Sequence, residues 1–312
     1  MWSMICRRIG IGLITLWVVS IIVFVGTEIL PGDVAQIILG QSATPENLAA
    51  LRAELSLDEP AFIRYFDWLA DMTVGDLGIS KAGGATITSL IKNRLSNTFL
   101  MGGIVALISV PLSVLIGLLA AMYPGTRLDR IVSFGTLSVI SVPEFFVATF
   151  LVLILSVQLR WLPSIAYLSG DETFLGLIRS LALPIFTLVV VISGQMIRMT
   201  RASILNVLTT PYIEMAILKG VPRKHIVLRH ALLNAIGPII NVIVLNLAYL
   251  VSGVVIVETI FAYPGLAKLM IDGVQTRDLP LVQACAMIFC TTYVVLILMA
   301  DIAAIMFNPR LR

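Results

Sequence analysis

Four cations, Lys219, Arg223, Lys224 and Arg229, follow one another closely with no acid between them, and both histidines of the chain, His225 and His230, lie among them. Glu214 precedes the cluster and Gly220 interrupts it. No nucleophile–base pair is present in this set, so its chemistry is recognition rather than catalysis. A basic run of this kind orients a membrane protein, touches anionic lipid headgroups or forms a docking surface. His225 and His230 read as interface residues rather than metal ligands. Elsewhere the chain lacks G-x-x-x-x-G-K-[ST], H-E-x-x-H, C-x-x-C and G-x-S-x-G, so neither a phosphate-binding loop nor a hydrolytic centre is expected. The chain reads as a non-enzyme, with no catalytic residue, no cofactor of its own and no metal site.

Local signals define the element that carries Glu214. Thr210-Pro211 is a helix start, with a capping residue followed by proline at the first helical position. Gly220 is a helix stop. The spacing predicts a short helix over Pro211–Lys219 with Tyr212, Met215, Ala216 and Lys219 on one face. So short a helix is unstable alone, which predicts a surface that receives it. A second helix is expected from Val221-Pro222 through Arg229-His230 into the next apolar run.

That polar stretch interrupts a chain of 312 residues that is 59% hydrophobic and only 12% charged. Soluble domains average about 25% charged residues. Mean hydropathy is +1.02. Ile9–Thr27, Leu95–Thr126, Ser180–Ile197, His230–Val257 and Leu279–Ala300 carry no charge, and Ile131–Leu159 carries only Glu144. Each reaches the length of a membrane span. The fold class is therefore all-α and polytopic, with six transmembrane helices and a structured segment between the first two. Solid apolar runs exclude a barrel, which would alternate. The expected divisions are an N-terminus and first span at 1–30, an external segment at 31–94, the remaining spans at 95–306 with a polar loop at 206–233, and a tail at 307–312. Two helical pieces are expected in the external segment, near Pro45–Leu55 and Pro60–Met72.

With both termini in the cytoplasm, Arg7, Arg8, Arg127, Arg130, Arg198, Arg201, Lys219, Arg223, Lys224, Arg229, Arg310 and Arg312 all lie inside, against Asp129 and Glu214 as inner-loop acids. That satisfies the positive-inside rule, and the reverse orientation violates it. The net charge of +3 points to no particular partner, and no nucleic acid is expected. The first apolar run lacks a small-x-small cleavage pattern and reads as an uncleaved span. Cys6, Cys285 and Cys290 lie in or near spans and read as apolar fillers. Glu144, after Pro143, is expected near the surface or against a partner helix, although an acid at membrane depth is a functional candidate by default. Asp301 reads as an interfacial or interhelical acceptor.

Glu214-Met215-Ala216-x-x-x-Gly220 resembles the E-A-A-x-x-x-G loop of bacterial ABC importer membrane subunits. Further matches are Leu30-Pro31-Gly32-Asp33, Gly75-Asp76-Leu77-Gly78-Ile79-Ser80, Arg229-His230-Ala231-Leu232-x-Asn234-Ala235-x-x-Pro238, Val257 to Leu266, Arg277-Asp278-Leu279-Pro280-Leu281-Val282-Gln283 and Asn308-Pro309-Arg310. Together they are similar to the B-type permease subunit of the dipeptide/oligopeptide/nickel importer family, over nearly the whole chain. Met215 departs from the usual small residue, and the connection between spans 3 and 4 is short. The resemblance implies a bacterial inner-membrane permease paired with a second homologous permease subunit as a heterodimer, with two ABC ATPase subunits holding ATP and Mg, and with a periplasmic or lipid-anchored solute-binding protein. It implies ATPase coupling through Tyr212, Glu214, Met215, Ala216, Lys219, Gly220 and Arg223. It implies a periplasmic gate or binding-protein contact at Tyr263, Pro264, Gly265 and Asp76. Short peptides are the expected cargo, with glutathione-like solutes, nickel chelates and opines as alternatives. A secondary transporter would need coupling-ion ligands or intramembrane charge pairs that the sequence does not supply.

Overall fold

The computed structural model describes residues 2–29, 43–54, 59–166 and 173–307. The motifs at 30–33 and 308–310 lie outside the described residues. Those residues contain no β-strand, only one isolated bridge between Ile79 and Thr86. The helices are α1 (Trp2–Glu28), α2 (Pro45–Glu54), α3 (Ala61–Val74), α4 (Ile87–Met122), α5 (Arg127–Ile140), α6 (Glu144–Leu151), α7 (Phe174–Leu208), α8 (Pro211–Leu218), α9 (Arg223–His225), α10 (Leu232–Ile260), α11 (Leu266–Gln275) and α12 (Leu279–Phe307). Helix α6 continues as π-helix over Val152–Gln158, and a second π-helical turn, Ile226–Ala231, joins α9 to α10.

Five helical stretches are long and apolar enough to cross a membrane: Met4–Glu28, Ile87–Met122, Phe174–Leu208, Arg223–Ile260 and Leu279–Ala303. The pair Arg127–Ile140 and Glu144–Gln158, bent by 104°, completes six when counted as one span. The bend has a local cause. Pro143 has no N–H and disfavours helical backbone at the residue before it, so α5 ends at Ile140 and α6 restarts at Glu144. Pro111, Pro184 and Pro238 lie inside α4, α7 and α10 without ending them. Membrane helices tolerate such prolines where neighbouring groups satisfy the freed carbonyls. Several helices run further than the apolar runs. Helix α4 begins at Ile87 because apolarity marks the hydrocarbon crossing, whereas backbone hydrogen bonds carry the helix on into polar sequence.

The chain divides into two compact units. The first comprises Met1–Gly10, Phe99–Tyr263 and Val295–Arg312. Its main core brings together Met101 and Val105 of α4, Leu188, Ile192 and Met196 of α7, and Val254 and Val257 of α10. A second cluster, including Met122, Ile204, Val227, Ala231 and Ala235, gathers the ends of α4 and α7 with the start of α10. Lipid is as apolar as a leucine side chain, so close packing replaces the hydrophobic effect in holding spans together. At Gly117 a Cβ would lie 2.9 Å from the carbonyl oxygen of Ile197 and 2.9 Å from Cβ of Thr200. Only glycine lets α4 approach α7 this closely. At the other end of the chain, Arg8 pairs with Asp301 at 2.9 Å, giving the acceptor expected at Asp301 a charged partner.

The second unit comprises Ile11–Thr98 and Pro264–Val294. Helix α3 packs an aromatic face against α1, with Phe24 and Tyr65 rings 5.4 Å apart and Phe24 and Trp68 rings 5.8 Å apart. Polar contacts fix the register: Ser20 Oγ and Tyr65 Oη share a hydrogen bond of 2.8 Å, and Arg64 pairs with Glu28 at 2.5 Å. Gln283 Nε2 donates to Thr27 Oγ1 at 2.6 Å, tying α12 to α1. Helices α2 and α3 fall on the two pieces expected from the sequence, each beginning at or beside a proline.

Gly117→Val should lower stability by roughly 1–3 kcal/mol through overpacking. Gly103, where a Cβ meets nothing within 4 Å, serves as control. The check is the melting temperature of the detergent-solubilised protein; Gly103→Val should leave it nearly unchanged.

Candidate functional site

Helix α8 forms as its sequence dictates. Thr210 is extended at φ −83°, Pro211 occupies the first turn with Glu214, and the helix ends at Leu218. Gly220 is left-handed at φ 75°. Its N–H donates to the Ile217 carbonyl at 2.9 Å, and the Val221 N–H donates to that of Ala216 at 3.2 Å. These bonds satisfy carbonyls that the helix end would otherwise leave open.

Within the chain α8 is anchored by a residue outside the face expected to dock. Ile213 is wholly buried, and α8 packs against the π-helical turn and the end of α7. Of the face expected to dock, Tyr212, Met215 and Lys219 are exposed and Ala216 is half-buried. Ile217 and Leu218 are exposed as well, Leu218 at 76%. Ile213 is thus the buried anchor, while Tyr212, Met215, Ile217 and Leu218 stand exposed among the described residues. Glu214 is exposed. Arg223 lies at the surface, but its Nε donates to the Met122 carbonyl at 2.8 Å and so caps the end of α4. Tyr212 Oη donates to the His230 carbonyl at 3.3 Å. The rings of His225 and His230 meet edge to face at 5.7 Å. The described residues hold no group of side chains fit for a metal.

A salt bridge braces the neighbouring helices. Arg201 Nε donates to Asp129 Oδ1 at 2.6 Å and its Nη2 to Oδ2 at 2.9 Å, a two-pronged pair joining α7 to α5. The Gly125 N–H donates to the same carboxylate at 2.8 Å. Asp129 is almost fully buried, so the sequence's inner-loop acid is a structural joint.

Midway along the apolar run 131–159, the Glu144 carboxylate lies beside the Tyr249 hydroxyl. Its Oε2 lies 3.1 Å from where a Cβ on Gly253 would stand. Glu144 thus packs against a neighbouring helix, as one of the sequence readings expects. It also lines a cavity of about 650 Å³ with Gln195, Asn246 and Tyr249.

The residues expected at a gate divide between burial and turn chemistry. Tyr263 is wholly buried in the first unit, and burial, aided by the Glu258 carboxylate, pushes its phenol far above the ordinary range. In the second unit Gly265 is buried and Pro264 half-buried. There the Pro264 carbonyl accepts from Asn97 Nδ2 at 2.8 Å and the Leu266 N–H donates to Thr98 Oγ1 at 2.8 Å. Asp76 is exposed, and its Oδ1 accepts from the Gly78 N–H at 2.9 Å, closing its own turn. Sequence reasoning did not find the hub beside it. Asp278, 1% exposed, accepts from Ser80 Oγ and from the backbone N–H of Lys81 at 3.1 Å and Ala82 at 3.4 Å. Two motifs 198 positions apart meet at this carboxylate.

Residues 113–312 match the family described as "Binding-protein-dependent transport system inner membrane component". Residues 1–101 match its N-terminal companion, described as "Binding-prot-dependent transport system membrane comp, N-term". The chain belongs to this family. This inner membrane component is 34% identical over 310 residues to "Probable peptide ABC transporter permease protein y4tP" of Sinorhizobium fredii, across 99% of this chain and 98% of the relative. It is 32% identical over 303 residues to "Glutathione transport system permease protein GsiC" of Shigella flexneri, across 97% of this chain and 96% of the relative. The component is thus a membrane-spanning transporter subunit rather than an enzyme.

Within the permease component, Asp278→Asn should weaken the hub by roughly 1.5–3 kcal/mol, since charged acceptors make the stronger hydrogen bonds. Limited trypsin digestion reads this directly. Cleavage after Lys81 should accelerate in Asp278→Asn and stay at the wild-type rate in Asp76→Asn, whose turn needs only the side-chain oxygen.

Proposed function

We propose that this chain forms half of the translocation pathway of an ATP-driven ABC importer for short peptides, coupled through α8 to a separate ATPase subunit. The observation that carries the reading is the set of apolar side chains exposed on α8, Tyr212, Met215, Ile217 and Leu218, on a helix anchored by the buried Ile213. A short helix presenting apolar side chains outward suits a groove on a partner. Glu214 and Lys219 stand among those side chains, and Gly220 turns the chain back toward the next span. Arg223 acts from within, holding the end of α4. Both termini and this loop lie in the cytoplasm, where the positive-inside rule puts Lys219, Arg223, Lys224 and Arg229. Two ATPase subunits bind ATP and Mg there, and a second homologous permease subunit completes the path.

On the opposite side, a periplasmic or lipid-anchored solute-binding protein delivers cargo. Contact with it falls on the exposed turn around Asp76. Tyr263, Pro264 and Gly265 serve the gate as the packed base of a backbone break rather than as a contact surface. Closure of the ATPases shifts α8 as a rigid body and biases the spans between inward-open and outward-open states. Peptide cargo is favoured by the relative named for peptides. The relative named for glutathione supports the second reading, a glutathione-like solute, itself a small tripeptide.

Glu214→Lys should abolish uptake of peptide into proteoliposomes holding the whole transporter, with membrane insertion unchanged, because Glu214 is exposed. Gly220→Pro should do the same by removing the left-handed turn and its N–H. Normal uptake by both variants, or uptake that persists without ATP on a proton gradient, rules the coupling role out.

A further inference from the structure

The cavity beside Glu144 has an unusual balance of hydrogen-bonding groups. Its polar side chains are Ser141, Glu144, Gln195, Asn246 and Tyr249, and no Lys, Arg or His is among its lining residues. Several donors there are partly used. The Tyr249 hydroxyl lies beside Glu144. Asn246 Nδ2 donates to the Val242 carbonyl at 2.8 Å, Gln195 Nε2 contacts Met199 Sδ at 3.6 Å, and Ser141 Oγ donates to the Leu137 carbonyl at 2.8 Å. Glu144 is the charged group among these lining side chains, and the two amides each add an acceptor oxygen alongside one remaining N–H.

A carboxylate midway along a span is costly unless a cation or several donors meet it. Among the described residues no salt bridge includes Glu144. Its place is nevertheless built. Pro143 breaks the span immediately before it, and a Cβ at Gly253 would press on its Oε2 at 3.1 Å. A volume of about 650 Å³ accommodates a small ligand or a peptide side chain. The surrounding wall, including Val191, Ile192 and Leu245, is apolar and matches the methylene stem of an amine.

We propose that this acceptor-lined cavity binds the protonated amine or guanidinium of a solute in passage, so that the permease itself favours cationic over anionic cargo. The inference rests on the reading above that solute crosses through this chain. Glu144 is the ion-pairing group, Asn246 and Gln195 supply neutral acceptors, and Tyr249 positions the carboxylate.

The experiment is uptake of Ala-Lys-Ala, Ala-Ala-Ala and Ala-Glu-Ala by proteoliposomes containing the complete transporter and its binding protein, comparing wild type with Glu144→Gln and Glu144→Asp. Glu144→Gln should reduce the Ala-Lys-Ala rate relative to Ala-Ala-Ala by about tenfold or more, the loss expected for one charge-assisted contact. Ala-Glu-Ala should change little or rise, and Glu144→Asp should recover most of the preference. Equal loss for all three peptides, or no loss, overturns the site while leaving the importer reading intact. Failure of Glu144→Gln to assemble with the second permease subunit also overturns it, since Glu144 would then pair with a partner's cation. A wild type that takes up none of the peptides refutes the peptide reading itself, and with it this assignment.

Discussion

An isolated helix of eight residues does not persist in water, so α8 exists only because Ile213 is buried beneath it. The coupling proposed for this permease component passes through that anchor. The π-helical turn Ile226–Ala231 and the end of α7 form its seat, and Val227, Ala231 and Ala235 tie the seat to Met122 and Ile204. Arg223 adds a directional bond to the last carbonyl of α4. A push on α8 therefore meets three spans, α4, α7 and α10, through packed side chains rather than a slack loop. Close-packed interiors transmit displacement because they leave no voids to absorb it.

The same economy governs the rest of the first unit. Glycines at 117, 194 and 253 sit where a Cβ would meet a neighbour at 2.9 to 3.2 Å, so contacts between spans are set by missing side chains. Polar groups are used where geometry is fixed. The Asp129–Arg201 pair joins the start of α5 to α7, and Asp278 gathers the Ser80 turn in the second unit. Both carboxylates are buried and multiply hydrogen-bonded, the condition under which a buried charge is tolerated. Glu144 is the contrast. It has one neutral partner, a cavity in front of it and a glycine cleared behind it, as a group held for something that comes and goes would require.

Local chemistry was legible in the sequence. Thr210-Pro211 and Gly220 bounded α8 to within one residue, Pro143 marked the broken span, and the prolines at 45 and 60 located α2 and α3. Six apolar runs gave the span count because length and hydropathy suffice for that. Long-range choices were not legible. Periodicity put Tyr212, Met215, Ala216 and Lys219 on one helical face, but it did not single out Ile213 as the side chain that anchors the helix within the chain. Nothing near Arg223 announced Met122 as its acceptor, and the Gly75–Ser80 and Arg277–Gln283 motifs gave no hint that they meet at Asp278. Each depends on backbone approach between segments distant in sequence, which local pattern does not encode.

The coupling role of α8 can be tested with a photo-crosslinking amino acid placed at Leu218 in the assembled transporter. Leu107, on the span α4, is a matched control, since both side chains are 76% exposed. The account predicts that position 218 captures the ATP-binding subunit and that position 107 does not. Capture of lipid alone at 218, or equal capture of the ATP-binding subunit at both positions, would contradict it.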